Sequence, residues 1–414
     1  MNGGTMAMLQ DISDPWIGPG WKGYAHEAPA LRRSALTERG WNVLRGDLPL
    51  PLAVIRREAL HGNLRWLQQF AHEQGVDLAP HGKTTMSAQL FSLQLDAGAW
   101  GITFANVTQA RVGLAAGAQR CLIANQVVAS ADLAALAALL RQHPGARVIF
   151  LVDSIAQLQL IETWHRGQPA APAFEVLLEL GLQGGRTGCR GHEQALTLAR
   201  RIAASPALRL VGIECYEGLW TSGKSDEDTA MVKQLMQRVH TLARACADEA
   251  LFDTDEVIVS AGGSAVFDLV AKDLKPDLGR PVRALLRSGC YITHDHGTYK
   301  RMTAVMNARL ACAHGLHAAL EVWVLVQSVP EPGLAILTAG KRDVSHDVQM
   351  PLPVRLCRHG ETVPTEAPAD WHVSALNDQH AYLRFAAGAA VEPRVGDRIA
   401  LGVSHPCTTF DKWR

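Results

Sequence analysis

The 414-residue sequence carries no excess of either charge: 40 Lys plus Arg stand against 40 Asp plus Glu. A balanced chain has no electrostatic footprint for nucleic acid or for an anionic membrane surface, so neither is expected as a partner. It also lacks any uncharged apolar run of about 18 residues, the length a membrane-crossing helix needs. Its first twenty residues, MNGGTMAMLQDISDPWIGPG, have no basic stretch leading into an apolar one, so no secretion signal is expected. No CxxC pair occurs among the eight cysteines, which are Cys121, Cys189, Cys215, Cys246, Cys290, Cys312, Cys357 and Cys407. That scatter speaks against a disulfide framework and for reduced thiols in a cytoplasmic protein.

What is present is a rhythm. Hydrophobic residues make up 48% of the chain and charged residues 19%, ordinary for a soluble protein with a sizeable core. Residues 1–45 are irregular, with Pro15, Pro19 and Pro29, and read as an N-terminal extension. From about residue 50, short apolar runs alternate with longer amphipathic ones. PLAVI (51–55) leads, and a helix near 58–74 follows. Eight candidate strands come next: VDLAPH (76–81), WGITF (100–104), CLIA (121–124), RVIFLV (147–152), FEVLLEL (174–180), LRLVGIE (208–214), EVIVS (256–260) and VRALLR (282–287). The stretches between them, such as TMSAQLFSLQLDAGA and GHEQALTLARRIAA, place apolar residues three and four apart, as helices do.

Runs that are apolar on both faces fit parallel strands covered by helices. Eight βα repeats match a (β/α)8 TIM-type barrel, assigned to residues 46–304. A doubly wound open sheet uses the same alternation, so counting leaves that alternative open. Beyond the barrel, LHAALEVWVLVQSV, LAILTAGKRD, PVRLCRHG, WHVSALNDQHAYLRF and DRIALGVSH read as short strands between turns. They predict a C-terminal β domain over 305–414, to which the extension is a candidate to add a strand.

In such a barrel the active site lies at the C-terminal ends of the strands. His81-Gly82-Lys83-Thr84-Thr85 ends the first candidate strand. Asn106, Asn125, Asp153, GLQGGRTG (181–188), Tyr216-Glu217-Gly218, SAGGS (260–264) and RSGCY (287–291) end others. Lys83 is the sharpest of these. A desolvated lysine amine becomes a nucleophile for carbonyl carbons; the alternative is a lysine that merely snorkels. Gly262 and Gly263 let backbone N–H groups approach a phosphate closely, or they only make a tight turn. Arg186, among four glycines, suits an anionic or phenolic oxygen, or caps a helix. Near the C-terminus His405 and Cys407 lie two apart in what reads as an extended segment, which would put both on one side. The pair can hold zinc or another divalent metal, although two ligands are incomplete; a structural histidine and a buried thiol are the alternative. HDHG (294–297) is a competing metal candidate, with a solvated loop as its alternative.

Seven segments resemble, in order, the motifs of one group of enzymes. They are PHGKTTM (80–86), GLQGGRTG, ECYEGLW (214–220), SAGGS, RSGCY, LNDQHAYL (376–383) and VGDRIALGVSHPCTTF (395–410). The group is the fold-type III pyridoxal-phosphate (PLP) enzymes, specifically the D-serine dehydratase and D-threonine aldolase family, and the likeness spans about residues 45–410. The resemblance implies that Lys83 carries the cofactor and then serves as the base that removes the substrate α-proton. It implies that Gly262, Gly263, Ser264 and Tyr291 hold the phosphate, that Arg186 contacts the ring oxygen, and that Tyr216 lies near the ring nitrogen. His405 and Cys407 would bind zinc, and His380 would support the site or donate a proton, with a purely structural role as the alternative. The implied reaction is zinc-assisted dehydration of a D-3-hydroxy amino acid such as D-serine, D-threonine or 3-hydroxyaspartate, giving a 2-oxo acid and ammonia. A cysteine at position 407 resembles the dehydratases, since the aldolases usually place a carboxylate there. SHPC stands where Asn-His-x-Cys is common, and YEGLW lacks a histidine after its glycine. These departures leave the substrate open. A D-threonine-type aldolase, an amino-acid racemase, a PLP-carrier protein and a barrel without PLP are the other readings, and the fold type implies a homodimer.

Overall fold

The computed structural model describes residues 12–168, 170–312 and 315–413; the first eleven residues of the extension lie outside them. The chain divides into two compact units. One comprises Leu64–Gly289 and the stretch from Met302; the other comprises the residues up to Asn63, Cys290–Arg301, and the chain from Gly315 onward. Three short strands come first: β1 (Trp16–Ile17), β2 (Leu31–Arg32) and β3 (Leu52–Ile55). Eight follow in the first unit: β4 (Asp77–Leu78), β5 (Ile102–Phe104), β6 (Arg120–Gln126), β7 (Arg147–Val152), β8 (Phe174–Leu180), β9 (Leu208–Cys215), β10 (Val257–Ala261) and β11 (Val282–Leu286). The last seven are β12 (Leu320–Glu331), β13 (Leu334–Leu337), β14 (Leu352–Cys357), β15 (Thr365–Glu366), β16 (His372–Leu376), β17 (Ala381–Arg384) and β18 (Arg398–Gly402).

The sheet of the first unit is parallel throughout, in the order β4-β11-β10-β9-β8-β7-β6-β5. Its two ends meet. Trp100 N–H donates to Leu78 O at 2.7 Å and Thr103 N–H to Pro80 O at 2.9 Å, and a parallel bridge joins His81 to Thr103. The sheet is therefore closed, and the open-sheet alternative falls away. Successive residues of a barrel strand face opposite ways. Phe150 packs on Phe174 and, through it, on Trp164 of the helix Ile155–Arg166. Its neighbours Ile149 and Leu151 instead join a buried cluster with Leu122, Leu177, Val211, Ile258 and Leu285. That cluster is the filled interior of the barrel. Several helices begin at a side-chain cap: Ser87, Asn106 and Ser154 each accept from the backbone N–H three residues on, which satisfies donors that the first turn would leave unpaired.

The second unit is an antiparallel sheet in the order β15-β14-β18-β12-β13-β17-β16, with β3 also pairing to β12. The segment read as the leading strand of the barrel is thus a strand of this sheet, with Leu52 opposite Trp323 and Ile55 opposite Leu320. The reason lies in β12, whose first residues would otherwise have β18 on one side and no partner on the other. Alternate residues Leu320, Val322, Val324 and Val326 face one core with Leu356, Leu383 and Leu401. Trp323 turns to the other face with Cys357 and Ala400. Among the described residues the extension contributes no strand to this sheet; β1 and β2 pair with each other.

Lys22 ties the extension to the β unit. Its ammonium lies 2.6 Å from the Asp343 carboxylate, donates to Arg342 O at 2.9 Å, and sits 4.0 Å from the centre of a Trp413 ring. Asp343 is 1% exposed and also accepts from Gly340 N–H and Gln379 Nε2. Removing the ammonium leaves a buried carboxylate short of a partner, which costs about 2 kcal/mol. Lys22→Ala is expected to lower urea-unfolding stability by about that amount. An unchanged unfolding midpoint would show that the clamp contributes nothing.

Candidate functional site

The mouth of the barrel is built from strand ends. After β4 the chain makes a tight turn, Gly82–Thr84. A Cβ on Gly82 would come within 3 Å of the Ile102, Phe104 and Phe91 side chains, so only glycine lets the turn sink this far onto the barrel top. Lys83 emerges from it exposed, and its amine makes no hydrogen bond or ion pair with the described residues. His81 beside it is held well below the usual imidazole basicity by burial, and by the positive charges of Lys83, Arg287 and Arg186. Its Nδ1 is buried with no partner among the described residues.

Two arginines hold the loop after β8, and a third makes no hydrogen bond or ion pair with the described residues. Arg190 donates to Gly185 O and Gly188 O at 2.8 and 3.0 Å, and Arg238 donates to Gly181 O and Arg190 O. Arg186 caps no helix; it lies exposed, its guanidinium 5.3 Å from the centre of the Tyr216 ring. The carboxylates at the strand ends act as loop anchors. Asp153 accepts from Gly188 N–H at 2.9 Å. Glu179, pushed up by burial, accepts from Gln126 and from Thr187 Oγ1. Asn106 is spent as a helix cap and Asn125 donates to Ala105 O.

The turn after β10 departs from the sequence expectation. The N–H groups of Gly262 and Gly263 donate to the carboxylate of Glu217, at 3.0 and 2.7 Å, and Gly263 O accepts from Ser288 Oγ at 2.6 Å. Glu217 is fully buried. The two glycines are therefore engaged by the protein itself, because a neighbouring strand end supplies an internal anion at this spot. Gly263 is still required to be glycine, since a Cβ there would lie 2.9 Å from the Tyr216 ring. The hydroxyl of Ser264 remains unengaged among the described residues. Below this turn Arg287 is buried, bonded to Glu214, to Cys215 O at 3.0 Å and to Ser260 Oγ at 2.6 Å. Glu214, Arg190 and Arg238 were not singled out from the sequence; Glu214 and Arg238 act through partners distant in the chain.

A free amine, a free guanidinium over an aromatic ring, an unengaged serine and an enclosed neutral imidazole form a donor set that fits an anionic aldehyde such as PLP. Lys83, Arg186, Tyr216, Gly262, Gly263 and Ser264 all lie in this unit. Tyr291 lies in the other, 2% exposed in the short turn Cys290–Ile292.

The metal candidates are also in the β unit. His405 and Cys407 do not alternate along a strand. Pro406 opens the short helix Pro406–Phe410, as proline favours at a first helical position, and the two side chains meet at its start. The His405 imidazole is hydrogen-bonded to Cys407 and to Asp347, which push it up to about 9. Nδ1 lies 2.5 Å from Asp347 Oδ2, and Thr408 Oγ1 donates to Asp347 Oδ1 at 3.0 Å. A carboxylate behind an imidazole nitrogen fixes the ring so that its other nitrogen is presented to a metal. Among the described residues no group of three or more such side chains is arranged to hold an ion. What fits is a two-residue site completed by water or substrate. The HDHG run has another use. The Asp295 carboxylate accepts from the N–H groups of Gly297, Tyr299 and Lys300 at the start of the helix Thr298–Leu310, while burial pushes His294 and His296 down to about 4. His380 stands exposed between β16 and β17, its carbonyl accepting from Asn377 N–H.

Residues 55–282 match the family described as "Alanine racemase, N-terminal domain", and residues 319–414 match the "Putative serine dehydratase domain". The D-threo-3-hydroxyaspartate dehydratase of Delftia sp. (strain HT23) is 29% identical over 372 residues, 87% of this chain and 92% of that protein. The crystal structure of D-threonine aldolase from Filomicrobium marinum superposes with a TM-score of 0.74 at 25% identity, covering 88% of this chain and 90% of the other. A cysteine-to-alanine variant of a D-threo-3-hydroxyaspartate dehydratase, solved in its metal-free form, superposes at 0.67 with 25% identity, covering 88% and 93%.

Glu214 makes the barrel interior sensitive to pH. Burial pushes its carboxyl from 4.5 up to about 8, with Arg287 pulling the other way. A group that holds its proton more tightly when folded contributes stability that is present below the unfolded pKa and is lost as pH rises through the folded one. The stability of the wild type relative to Glu214→Gln is therefore expected to fall between about pH 5 and pH 8. Denaturant titrations at several pH values test this, and a difference that rises with pH would mean an ionised Glu214 dominates.

Proposed function

This chain belongs to the alanine racemase N-terminal family, among the fold-type III PLP enzymes, and from that premise we propose that it is a lyase acting on D-3-hydroxy amino acids. The reaction is elimination of water from Cα and Cβ, after which one water hydrolyses the resulting imine to a 2-oxo acid and ammonia. The observation that carries the reading is Lys83, an exposed amine without a partner among the described residues, presented by a turn that only glycine permits.

PLP, when bound, supplies an electron sink for the pair left behind as the substrate α-proton departs. Lys83 anchors the cofactor and, once freed, takes that proton. Arg186 binds an anionic oxygen, its guanidinium beside the Tyr216 ring. Ser264 offers a hydroxyl to the phosphate, and Glu217 fixes the turn from which it does so. His405 and Cys407 would hold a zinc ion, which would supply Lewis acidity toward a hydroxyl oxygen. Asp347 keeps the His405 ring in place for it. His380 is given no step.

The thiol at Cys407 favours dehydration over the aldolase alternative, since the aldolases usually carry a carboxylate at that position. The likeness to a D-threonine aldolase keeps cleavage of the Cα–Cβ bond as the second reading.

Incubation with PLP, zinc and D-threonine distinguishes the two. 2-Oxobutyrate and ammonia are expected; glycine and acetaldehyde would replace the dehydratase reading with the aldolase one. Lys83→Ala is expected to lower the rate by about 10³-fold or more and to abolish borohydride-fixed labelling by the cofactor. Retention of that labelling would overturn the assignment of Lys83.

A further inference from the structure

We propose that Cys290 and Cys407 are a redox-sensitive thiol pair that closes to a disulfide under hydroperoxide. The two are 117 residues apart in sequence, yet their sulfurs lie 3.6 Å from each other. Cys290 sits in the turn Cys290–Ile292 and Cys407 in the helix Pro406–Phe410, both within the β unit. A disulfide needs a sulfur separation of about 2.05 Å, so an approach of roughly 1.5 Å completes the bond.

Burial suppresses the ionisation of five of the other six thiols. Burial pushes Cys121, Cys189 and Cys246 up to about 12 and raises Cys215 as well. Cys189 and Cys357 donate to backbone carbonyls. Cys407 is only half-buried, whereas Cys290 is 7% exposed. A small oxidant therefore meets Cys407 first, with Cys290 behind it as the resolving sulfur.

The chemistry balances with hydrogen peroxide as oxidant. The Cys407 sulfur takes one peroxide oxygen as the O–O bond breaks, giving a sulfenic acid and one water. The Cys290 sulfur then attacks that sulfur. The S–S bond forms, the S–O bond breaks, and hydroxide leaves with the thiol proton as a second water. Two electrons pass from the two thiols to the peroxide. The consequence for catalysis rests on the zinc reading, because the disulfide withdraws the Cys407 sulfur from the metal. The disulfide itself does not depend on that reading.

The test treats the full-length protein, metal-free and zinc-loaded, with a slight excess of hydrogen peroxide, then alkylates free thiols and maps the peptides. Two of the eight thiols are expected to disappear, in one cross-link between the Cys290 and Cys407 peptides that dithiothreitol reverses. Zinc is expected to be released in step, measured with a chromogenic chelator. In Cys290→Ser the cross-link is expected to be absent and Cys407 to be oxidised further, to the sulfinic acid. Sulfinic Cys407 beside a free Cys290 thiol in the wild type, or a cross-link to another cysteine, would overturn the proposal. A Cys290–Cys407 cross-link in a protein that takes up no zinc would uphold it and remove the zinc reading instead.

Discussion

The mouth of the barrel depends on one contact, the bridge between the chain at His81 and at Thr103. β4 has only two residues in regular pairing, so its hold on β5 rests on the hydrogen bonds that follow, from Trp100 to Leu78 and from Thr103 to Pro80. Those bonds do two things at once. They close the sheet, leaving no unpaired edge, and they fix the direction in which the chain leaves the strand. Gly82 and Lys83 come directly after. The turn that carries Lys83 is therefore placed directly by the barrel's closure.

The other strand ends share a division of labour between charges that bind the protein and charges left over. Arg190, Arg238 and Arg287 are consumed by backbone carbonyls and carboxylates, while Asp153, Glu179 and Glu217 are consumed by loop N–H or hydroxyl groups. Among the described residues at these strand ends, Lys83 and Arg186 make no such bonds. A site that must grip an anion needs donors not already satisfied, and a scaffold of internally paired charges keeps those two from finding protein partners.

Much of this was legible in the sequence, because barrel strands announce themselves as apolar runs and their ends as glycine-rich polar segments. Lys83 and Arg186 could be read because they sit inside such segments. Three things could not. PLAVI looks like any strand that precedes a helix, and only the long β12, far along the chain, shows why it pairs elsewhere. Glu217 was visible as a residue but not as the acceptor of Gly262 and Gly263, since that bond joins two different strand ends. Period-two geometry suggested that His405 and Cys407 meet along a strand, whereas Pro406 starts a helical turn; Asp347, which orients the imidazole, lies 58 residues earlier in the chain.

The pairing of β3 with β12 has a consequence for biosynthesis. Leu52–Ile55 leaves the ribosome before any barrel strand is made, and Leu320–Trp323 only after all eight. At ordinary translation speeds the first strand waits on the order of tens of seconds for its partner. The barrel is the cooperative unit that can form in that interval, from one nearly uninterrupted stretch of chain. The β sheet, drawn from chain on either side of the barrel, is sealed only after the barrel strands are made.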